Sequence, residues 1–327
     1  VSIISPLYGG TFLDCTFGQG GYSKKILEKK INKVIAIDRD PEVYPYVNEL
    51  KKKYNKRFNF QNIKFSEMNK VKINSKDIKG IIFDLGYSTN QIKDLSRGLS
   101  FKSTGKLNMK MGLNDFSSHE VISKMSEKNL YRIFKFYGDE KHSRKIARKI
   151  VEIRKTKVLN TEDLTKIVDS VKRFKNYKIN NSTKIFQALR IFVNKEISEL
   201  INGLINAFNL IPVGGVIAVV TFHSIEDKIV KFFFKNYSEV NNSSRYMPIK
   251  EKNIKFFKLE SKKPIVPSEK ELKFNPPSRS AKLRFGVKIK NECNFEEFIQ
   301  KFKKLIDIEN LQFEKWKSYF YLYQLFS

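Results

Sequence analysis

Residues 13–27 read LDCTFGQGGYSKKIL, and this stretch predicts how the rest of the chain folds. Its apolar start is typical of a β-strand, and its three glycines, Gly18, Gly20 and Gly21, indicate a tight turn before a helix. Glycine has no Cβ, so the backbone of such a turn can approach a ligand closely, and the first amides of the helix face that ligand. The stretch therefore predicts a nucleotide-like cofactor at the end of the first strand.

A second β-rich run, KVIAIDRD at residues 33–40, supports this prediction. It ends in carboxylates, and Asp38 comes 20 positions after Gly18. In a βαβ unit, this separation places an acid against the ribose diol of a bound nucleotide. We therefore expect the Asp38 carboxylate to bind the cofactor.

The run KGIIFDLGYS at residues 79–88 predicts a central parallel strand, because it is apolar on both faces. This fourth strand ends at Asp84. Ligands of doubly wound sheets bind at the carboxyl ends of the strands, so Asp84 should lie beside Asp38 and the glycine turn. The alternative is that Asp84 only caps its loop.

The glycine spacing favours S-adenosyl-L-methionine (AdoMet) over NAD. The dinucleotide fingerprint needs a glycine three places beyond Gly20, where this chain has Ser23. An acid within the strand, here Asp14, followed by an offset cluster of glycines resembles the first motif of class I AdoMet-dependent methyltransferases. We therefore expect an AdoMet site and treat a dehydrogenase as a distant alternative.

The composition predicts a polyanionic partner. The 327 residues include 63 Lys and Arg against 34 Asp and Glu, a formal net charge of +29. An AT-rich genome, which favours lysine, is the alternative source of part of this excess. The two cysteines, Cys15 and Cys293, match no zinc spacing, so no metal site is predicted. No apolar run is long enough to span a membrane, and a membrane partner is not expected.

The segment after the fourth strand is helical and strongly basic. Between Lys141 and Lys157 the only acid is Glu152, whereas a solvated helix face normally mixes both signs. A helix that buries Ile146 and Ile150 would expose the basic residues of this segment. These are predicted to contact nucleic-acid phosphates: Arg144, Lys145, Arg148, Lys149 and Arg154.

Three further elements are predicted from apolar spacing. Residues 58–65 indicate a third strand with Phe65 at its end, either in the core or against the adenine ring. Thr161 is expected to cap a helix, and apolar residues at three- and four-residue steps predict one long helix over 186–208. His223 follows the next strand, 216–222, and is either a proton acceptor or donor or a cap that pairs with Glu226 or Asp227.

Because the strand at 216–222 resumes the parallel sheet, the helical segment is an insertion. The predicted fold is an α/β, Rossmann-like doubly wound sheet with an inserted all-helical domain. Its parts are a discontinuous cofactor-binding domain at 1–106 and 182–290, a basic helical substrate-binding domain at 107–181, and a C-terminal amphipathic helical extension at 291–327. The oligomeric state is left open, with a homodimer as one option.

Nine stretches of the chain together resemble the ribosomal RNA small subunit methyltransferase H (MraW-like) family. The resemblance runs from about residue 11 to residue 287, and the C-terminal helix lies outside it. The stretches, in chain order, are TFGQGGYSKKIL, IAIDRDP, IIFDLGYSTNQI, RGLSF, LNMKM, YGDEKHSRKIARKIV, FQALRIFVNKEI, TFHSIEDKIVK and NPPSRSAKLR.

The resemblance implies a class I methyltransferase that uses AdoMet to methylate the N4 amine of a cytidine in the decoding region of 16S rRNA. It implies the small ribosomal subunit as partner and the bacterial cytoplasm as location, with a mitochondrial relative as the alternative. It also implies that the following residues bind the cofactor: Gly20, Gly21, Tyr22, Asp38, Phe65, Asp84 and Gln91. The glycine turn itself adds Gly18 to this set.

The catalytic candidates are Asp84, His223 and Asn108. Many members of the family carry Asp where this chain has Asn108, and His where it has Tyr22; an amide at 108 argues against acid or base chemistry there. Two other functions stay open. One is methylation of another RNA or DNA amine, and the other is a non-catalytic assembly factor that binds rRNA.

Overall fold

The computed structural model describes residues 1–71, 75–101, 103, 105, 107–172, 180–238 and 255–313. The chain divides into two compact units. The sheet unit consists of Val1–Ser88 and Ile197–Lys303, and the helical unit of Thr89–Glu196 together with the described residues after Lys303.

The described part of the sheet unit contains one seven-stranded sheet in the order β3-β2-β1-β4-β5-β7-β6. The strands β1 to β5 pair in parallel, and β7 runs antiparallel to both β5 and β6. The predicted α/β fold with a doubly wound sheet is therefore confirmed. The strands are β1 Gly10–Asp14, β2 Asn32–Ile37, β3 Phe58–Gln61, β4 Ile78–Asp84, β5 Val216–Thr221, β6 Phe257–Lys258 and β7 Lys282–Lys288.

The described residues form twelve α-helices. Most of α9 and the first eight residues of α12 belong to the sheet unit, as do α1, α2, α10 and α11. The helices are α1 Gly21–Leu27, α2 Tyr44–Tyr54, α3 Thr89–Lys93, α4 Ser118–Lys124, α5 Glu127–Tyr137, α6 Ser143–Ile153, α7 Thr161–Val171, α8 Thr183–Asn194, α9 Glu196–Leu210, α10 Ser224–Asn236, α11 Glu269–Phe274 and α12 Glu296–Glu309.

The core of the sheet unit explains why β1 and β4 are apolar on both faces. Phe12 and Leu13 of β1 and Ile81 and Phe83 of β4 are completely buried. Helices cover both faces of a parallel sheet, so neither face of a central strand meets water. The polar residues that end these strands, Asp14 and Asp84, are thereby held at one edge of the sheet.

Side-chain caps define where the helices of the helical unit begin. The Ser126 hydroxyl accepts a hydrogen bond from the Asn129 amide (3.1 Å), and the helix α5 that it caps stops at Gly138. Ile146 and Ile150 of α6 are buried, as predicted. The predicted cap at Thr161 is wrong by one residue, because Asn160 forms the capping box with Asp163 and Thr161 is the first, buried residue of α7.

The single long helix predicted over 186–208 is two helices, α8 and α9. Lys195 separates them in the left-handed conformation, with φ 50°. Asn194 holds this break, since its side chain donates to the Met109 and Arg190 carbonyls and accepts from the Met111 amide. The apolar spacing continues through the break, so the helical pattern alone does not reveal it.

The third strand is also shorter than predicted. It ends at Gln61, and Phe65 instead begins a short 3₁₀ helix, Phe65–Lys70.

The boundaries between the two units differ from the predicted domain boundaries. The structure places them at 88/89 and 196/197 rather than at 106/107 and 181/182. The whole of α8 therefore belongs to the helical unit, where it packs against α5. None of the described helices is long and apolar enough to cross a membrane.

Candidate active site at the carboxyl ends of β1, β2 and β4

The glycine turn after β1 has the backbone conformation that its sequence predicts. Gly20 adopts φ 76°, where L-residues are strained, and a Cβ at this position would lie 2.8 Å from the Phe17 ring. Gly21 begins α1, and a Cβ there would meet no atom within 4 Å. The two glycines therefore differ, because the fold itself requires Gly20 but leaves open space at Gly21.

Asp38 joins the end of β2 to this turn. Its Oδ2 accepts a hydrogen bond from the Gly18 amide (2.7 Å), and its Oδ1 accepts one from the Asp40 amide (2.9 Å). Burial raises the pKa of Asp38 to about 6, although both amides favour the charged form. The predicted convergence of Asp38 with the glycine turn is present in the structure.

Asp84, at the end of β4, is the third element of the site. Its amide donates to the Thr16 hydroxyl (2.7 Å), and its carboxyl is hydrogen-bonded to the Tyr22 hydroxyl. Within the described residues, the buried Oδ1 has no hydrogen-bond partner. Burial, followed by the nearby Asp14 and Glu226, raises the pKa of Asp84 to about 7.

Asp14 lies beneath these groups and is completely buried. Its Oδ2 accepts a hydrogen bond from the Ser23 hydroxyl (2.6 Å), and burial raises its pKa. Its charge raises the pKa values of Asp38 and Asp84. We call Asp14, Asp38, Asp84 and Glu226 the carboxylate cluster; it gives the site a negative potential that suits a cationic ligand.

His223 is the N-cap of α10. Its Nδ1 accepts from the Glu226 amide (3.5 Å), its Nε2 lies 3.1 Å from Glu226 Oε1, and Glu226 Oε2 accepts from the Phe222 amide (2.8 Å). The imidazole is thus engaged with one carboxylate and one helix end. This arrangement favours the capping alternative for His223 over proton transfer.

Phe65 is held against the core from one side. Its ring meets the Phe83 ring edge-on, with 5.3 Å between centroids, and a Cβ on Gly203 would come within 2.5 Å of it. The buried Glu199 carboxylate fixes the following residue by accepting from the amide and the hydroxyl of Ser66. Phe65 remains half-buried, so packing and a contact with an adenine ring are compatible.

With this geometry established, similarity to known proteins identifies the family. The model of the MraW methylase family matches residues 1–289. The chain belongs to the MraW methylase family. A curated relative from Rickettsia bellii, ribosomal RNA small subunit methyltransferase H, is 42% identical over 294 residues, covering 88% of this chain and 96% of the relative. The protein of the same name from Rickettsia akari is also 42% identical over 294 residues, or 88% and 95% of the two chains.

Solved structures add little to this assignment. The crystal structure of an rRNA methylase from Streptococcus thermophilus aligns over 86% of this chain and 88% of that chain, with a TM-score of 0.38 and 9% identity. A TM-score this low carries no argument about fold or function. The family membership rests on the sequence matches.

Two predicted site residues belong to the helical unit. Gln91 lies on α3. Asn108 precedes α4, where its carbonyl accepts from the Ser118 amide (2.9 Å), while its buried Oδ1 has no hydrogen-bond partner in the described part of the chain. Their assigned roles remain predictions.

The five predicted RNA-binding residues are not equivalent. Arg144, Lys145 and Arg148 are exposed on α6. Lys149 is half-buried and donates to the Ser170 hydroxyl (2.6 Å). Arg154 uses Nη1 to bind the Ile122 and Met125 carbonyls (2.7 and 2.6 Å) at the end of α4, so the structure favours a packing role for it.

Sequence reasoning missed two supporting residues. The Thr16 hydroxyl accepts a hydrogen bond from the Asp84 amide, but a threonine after a strand does not by itself predict such a hydrogen bond. Glu199 did offer a signal, since it is an acid among the apolar residues of α9, and a buried acid needs partners such as Ser66.

Proposed function

We propose that this chain transfers a methyl group from AdoMet to the N4 amine of a cytidine in the decoding region of small-subunit rRNA. The observation that carries the proposal is the environment of the Asp84 carboxyl group. It places a buried carboxylate oxygen without a hydrogen-bond partner among the described residues beside the glycine turn, at the end of a central strand. An amine N–H is the kind of donor that such an oxygen accepts.

The residues present fit AdoMet. The carboxylate cluster offers negative charge to a ligand with a cationic sulfonium and ammonium. Each Asp38 oxygen accepts one amide and keeps a second lone pair, which a ribose hydroxyl can use. The open space beside Gly21 lets the ligand approach the backbone at the start of α1. When bound, AdoMet supplies a methyl group on a good leaving group.

The chain's own task is then to hold the amine and take its proton. A cytosine amine is a weak nucleophile, because its lone pair is delocalised into the ring. Asp84 accepts a hydrogen bond from the amine, which localises that pair, and receives the proton as the N–C bond forms. The hydrogen bond to Tyr22 lowers the pKa of Asp84 and so favours the ionised form that this role requires. Positioning of the amine provides most of the rate enhancement.

The substrate follows from charge and from relatives. The curated relatives are named for small-subunit rRNA, and this chain has the net charge of +29 expected of a polyanion-binding protein. The exposed residues Arg144, Lys145 and Arg148 of α6 supply cations for phosphates. Tyr87, three residues beyond the end of β4 and 43% exposed, can stack on an unstacked base.

The experiment that tests this function is methyl transfer from labelled AdoMet to small ribosomal subunits that lack the modification, and separately to naked rRNA. The product nucleoside is identified by mass spectrometry. N4-methylcytidine at one decoding-region site supports the proposal and shows the preferred substrate form. Label on another nucleotide would assign a different RNA specificity, and RNA binding without transfer would favour an assembly factor.

A further inference from the structure

Two helices of the sheet unit, α10 and α12, border a groove that is separate from the residues assigned to methyl transfer. Its volume is about 350 Å³. Among the described residues no carboxylate lines this groove, although Glu297 lies nearby and accepts a hydrogen bond from the Asn236 amide group (3.1 Å). We call it the α10–α12 groove; its charged and aromatic lining residues are Lys228, Lys231, Lys235, Lys301, Phe232 and Phe302.

The aromatic surface of the α10–α12 groove is rigid. Phe232 stacks on the buried Phe298, with 6.1 Å between centroids and 9° between planes, and meets Phe302 edge-on at 5.6 Å. Phe232 itself stays half-buried, and Lys301 Nζ lies 5.7 Å from the centroid of its ring. A fixed aromatic face beside several lysines is the combination by which proteins bind single-stranded nucleic acid.

The positive charge extends beyond this groove along α10. Lys231 and Lys235 also line a neighbouring depression of about 270 Å³. Lys262 and Arg284 line the same depression, although Arg284 is paired with Asp227 through Nε at 2.8 Å. The two depressions thus form one basic track, and its complementary ligand is a chain of phosphates.

One wall of the α10–α12 groove lies outside the family match. That match ends at residue 289, and α12 spans Glu296–Glu309. The helix is anchored to the sheet unit through Phe298, which is completely buried and contacts Phe233, with 5.3 Å between ring centroids. The C-terminal helix therefore contributes one wall of the groove from beyond the residues that match the family.

We propose that the α10–α12 groove binds a single-stranded segment of the RNA substrate. Its lysines pair with phosphates, and the Phe232 ring stacks on one base. This proposal rests on the proposed function, because the occupant is part of the rRNA that the active site modifies. The groove would raise affinity and help to orient the subunit without taking part in methyl transfer.

The test compares the charge-reversed triple variant K228E/K231E/K301E with a matched control, K30E/K52E/K56E. Both change the net charge equally, and the control lysines are exposed on or beside α1, α2 and β3, at the other edge of the sheet. The probes are a fluorescein-labelled oligouridylate and an RNA duplex of equal length. Binding is titrated over a range of salt concentrations, and circular dichroism verifies that each variant is folded.

We expect the groove variant to bind the oligouridylate at least ~10-fold more weakly than the control variant, with a log–log salt dependence that is less steep by about 2. A second variant, F232L, keeps an apolar side chain but removes the ring. It should weaken single-strand binding about fivefold and leave duplex binding unchanged.

Equal affinity and salt dependence of the groove and control variants would overturn the proposal, as would an equal effect of F232L on both probes. The two hypotheses fail separately. If the wild-type protein transfers no methyl group, the proposed function is refuted. If transfer is normal and the groove variant binds RNA as tightly as the control variant does, only the proposal that the groove binds RNA is refuted.

Discussion

At the scale of single residues, the site is a set of carboxyl groups held against their preference for water. Asp14, Asp38 and Asp84 all have raised pKa values, and burial is the first cause in each. Such groups reduce the stability of the fold at neutral pH, and strongly shifted pKa values are typical of functional sites. Asp84 combines this cost with an oxygen that is free, within the described residues, to accept a substrate donor.

The raised pKa of Asp84 predicts how its loss affects stability. A carboxyl group with a pKa of about 7 in the folded state favours its protonated form there, so ionisation opposes folding as pH rises from about 4 to 7. D84N should therefore have a free energy of unfolding up to about 4 kcal/mol higher than wild type at pH 8, and no gain at pH 4. Denaturant titrations at both pH values measure this difference.

In a matched variant, D227N, the change in the free energy of unfolding at pH 8 should have the opposite sign, so that D227N is less stable than wild type. Burial alone would raise the pKa of Asp227, but the ion pairs with Arg284 and Lys282 outweigh it and lower this pKa. Stability from these pairs is present above the unfolded pKa of about 4 and disappears as pH falls through the folded value. If D84N also loses stability at pH 8, the assignment of Asp84 as a destabilised, functional carboxylate is wrong.

Binding of AdoMet should release protons. At pH 7 the Asp84 carboxyl is about half protonated, and a cation placed beside it lowers its pKa. Calorimetry in phosphate and in Tris should therefore give different apparent enthalpies, corresponding to up to about half a proton released. S-adenosylhomocysteine, whose sulfur is neutral, should release less. Buffer-independent enthalpies, or equal release by D84N, would contradict the assignment.

At the scale of elements, the sequence predicted the central strands of the sheet better than the end of β3 and the helix break at Lys195. The turn after β1 and the strands β2 and β4 were predictable, because each apolar run ends in glycines or acidic residues. The predicted proximity of Gly18 and Asp38 is present as a hydrogen bond from the Gly18 amide to the Asp38 carboxylate. The ends of β3 and the break at Lys195 were not predictable, because contacts distant in sequence determine them. The Asn194 side chain, for example, binds the loop around Met109.

The two glycines at the start of α1 offer a test that separates folding from ligand binding. G20A places a Cβ at φ 76° and against Phe17, so it should cost about 1–3 kcal/mol of stability. G21A meets no protein atom and should leave the melting temperature unchanged or slightly raised. If the backbone approaches AdoMet here, G21A should still weaken AdoMet binding about tenfold or more. Thermal melts and calorimetry measure both effects, and unaltered AdoMet affinity of G21A would remove Gly21 from the site.

The break between α8 and α9 predicts which of two substitutions of Lys195 is better tolerated. Lys195 holds φ 50°, which costs an L-residue free energy that glycine does not pay. K195G should therefore be about 1 kcal/mol more stable than K195A, which loses the same 3.0 Å contact of Nζ with Asp115 but keeps the strain. Equal melting temperatures would show that the backbone at 195 is unstrained.

At the scale of the whole molecule, charge and family membership point to the same partner. A net charge of +29 serves an enzyme whose substrate is a polyanion, and two separate basic surfaces, on α6 and along α10, divide that charge between the units. The sequence predicted the α6 surface from its lack of acids. It did not predict the α10–α12 groove, because those lysines lie on two helices that are far apart in sequence, one ending at Asn236 and the other beginning at Glu296.

The most direct test of the central claim is the pH dependence of single-turnover methyl transfer to unmodified small subunits, with wild type and D84N both saturated with AdoMet. Wild type should form N4-methylcytidine with a rate that rises with pH through one apparent pKa at or below about 7, since ionised Asp84 accepts the proton. D84N should be at least ~100-fold slower and lose that pH dependence. A flat wild-type profile, with D84N transferring methyl groups at the wild-type rate, would contradict the assignment of Asp84.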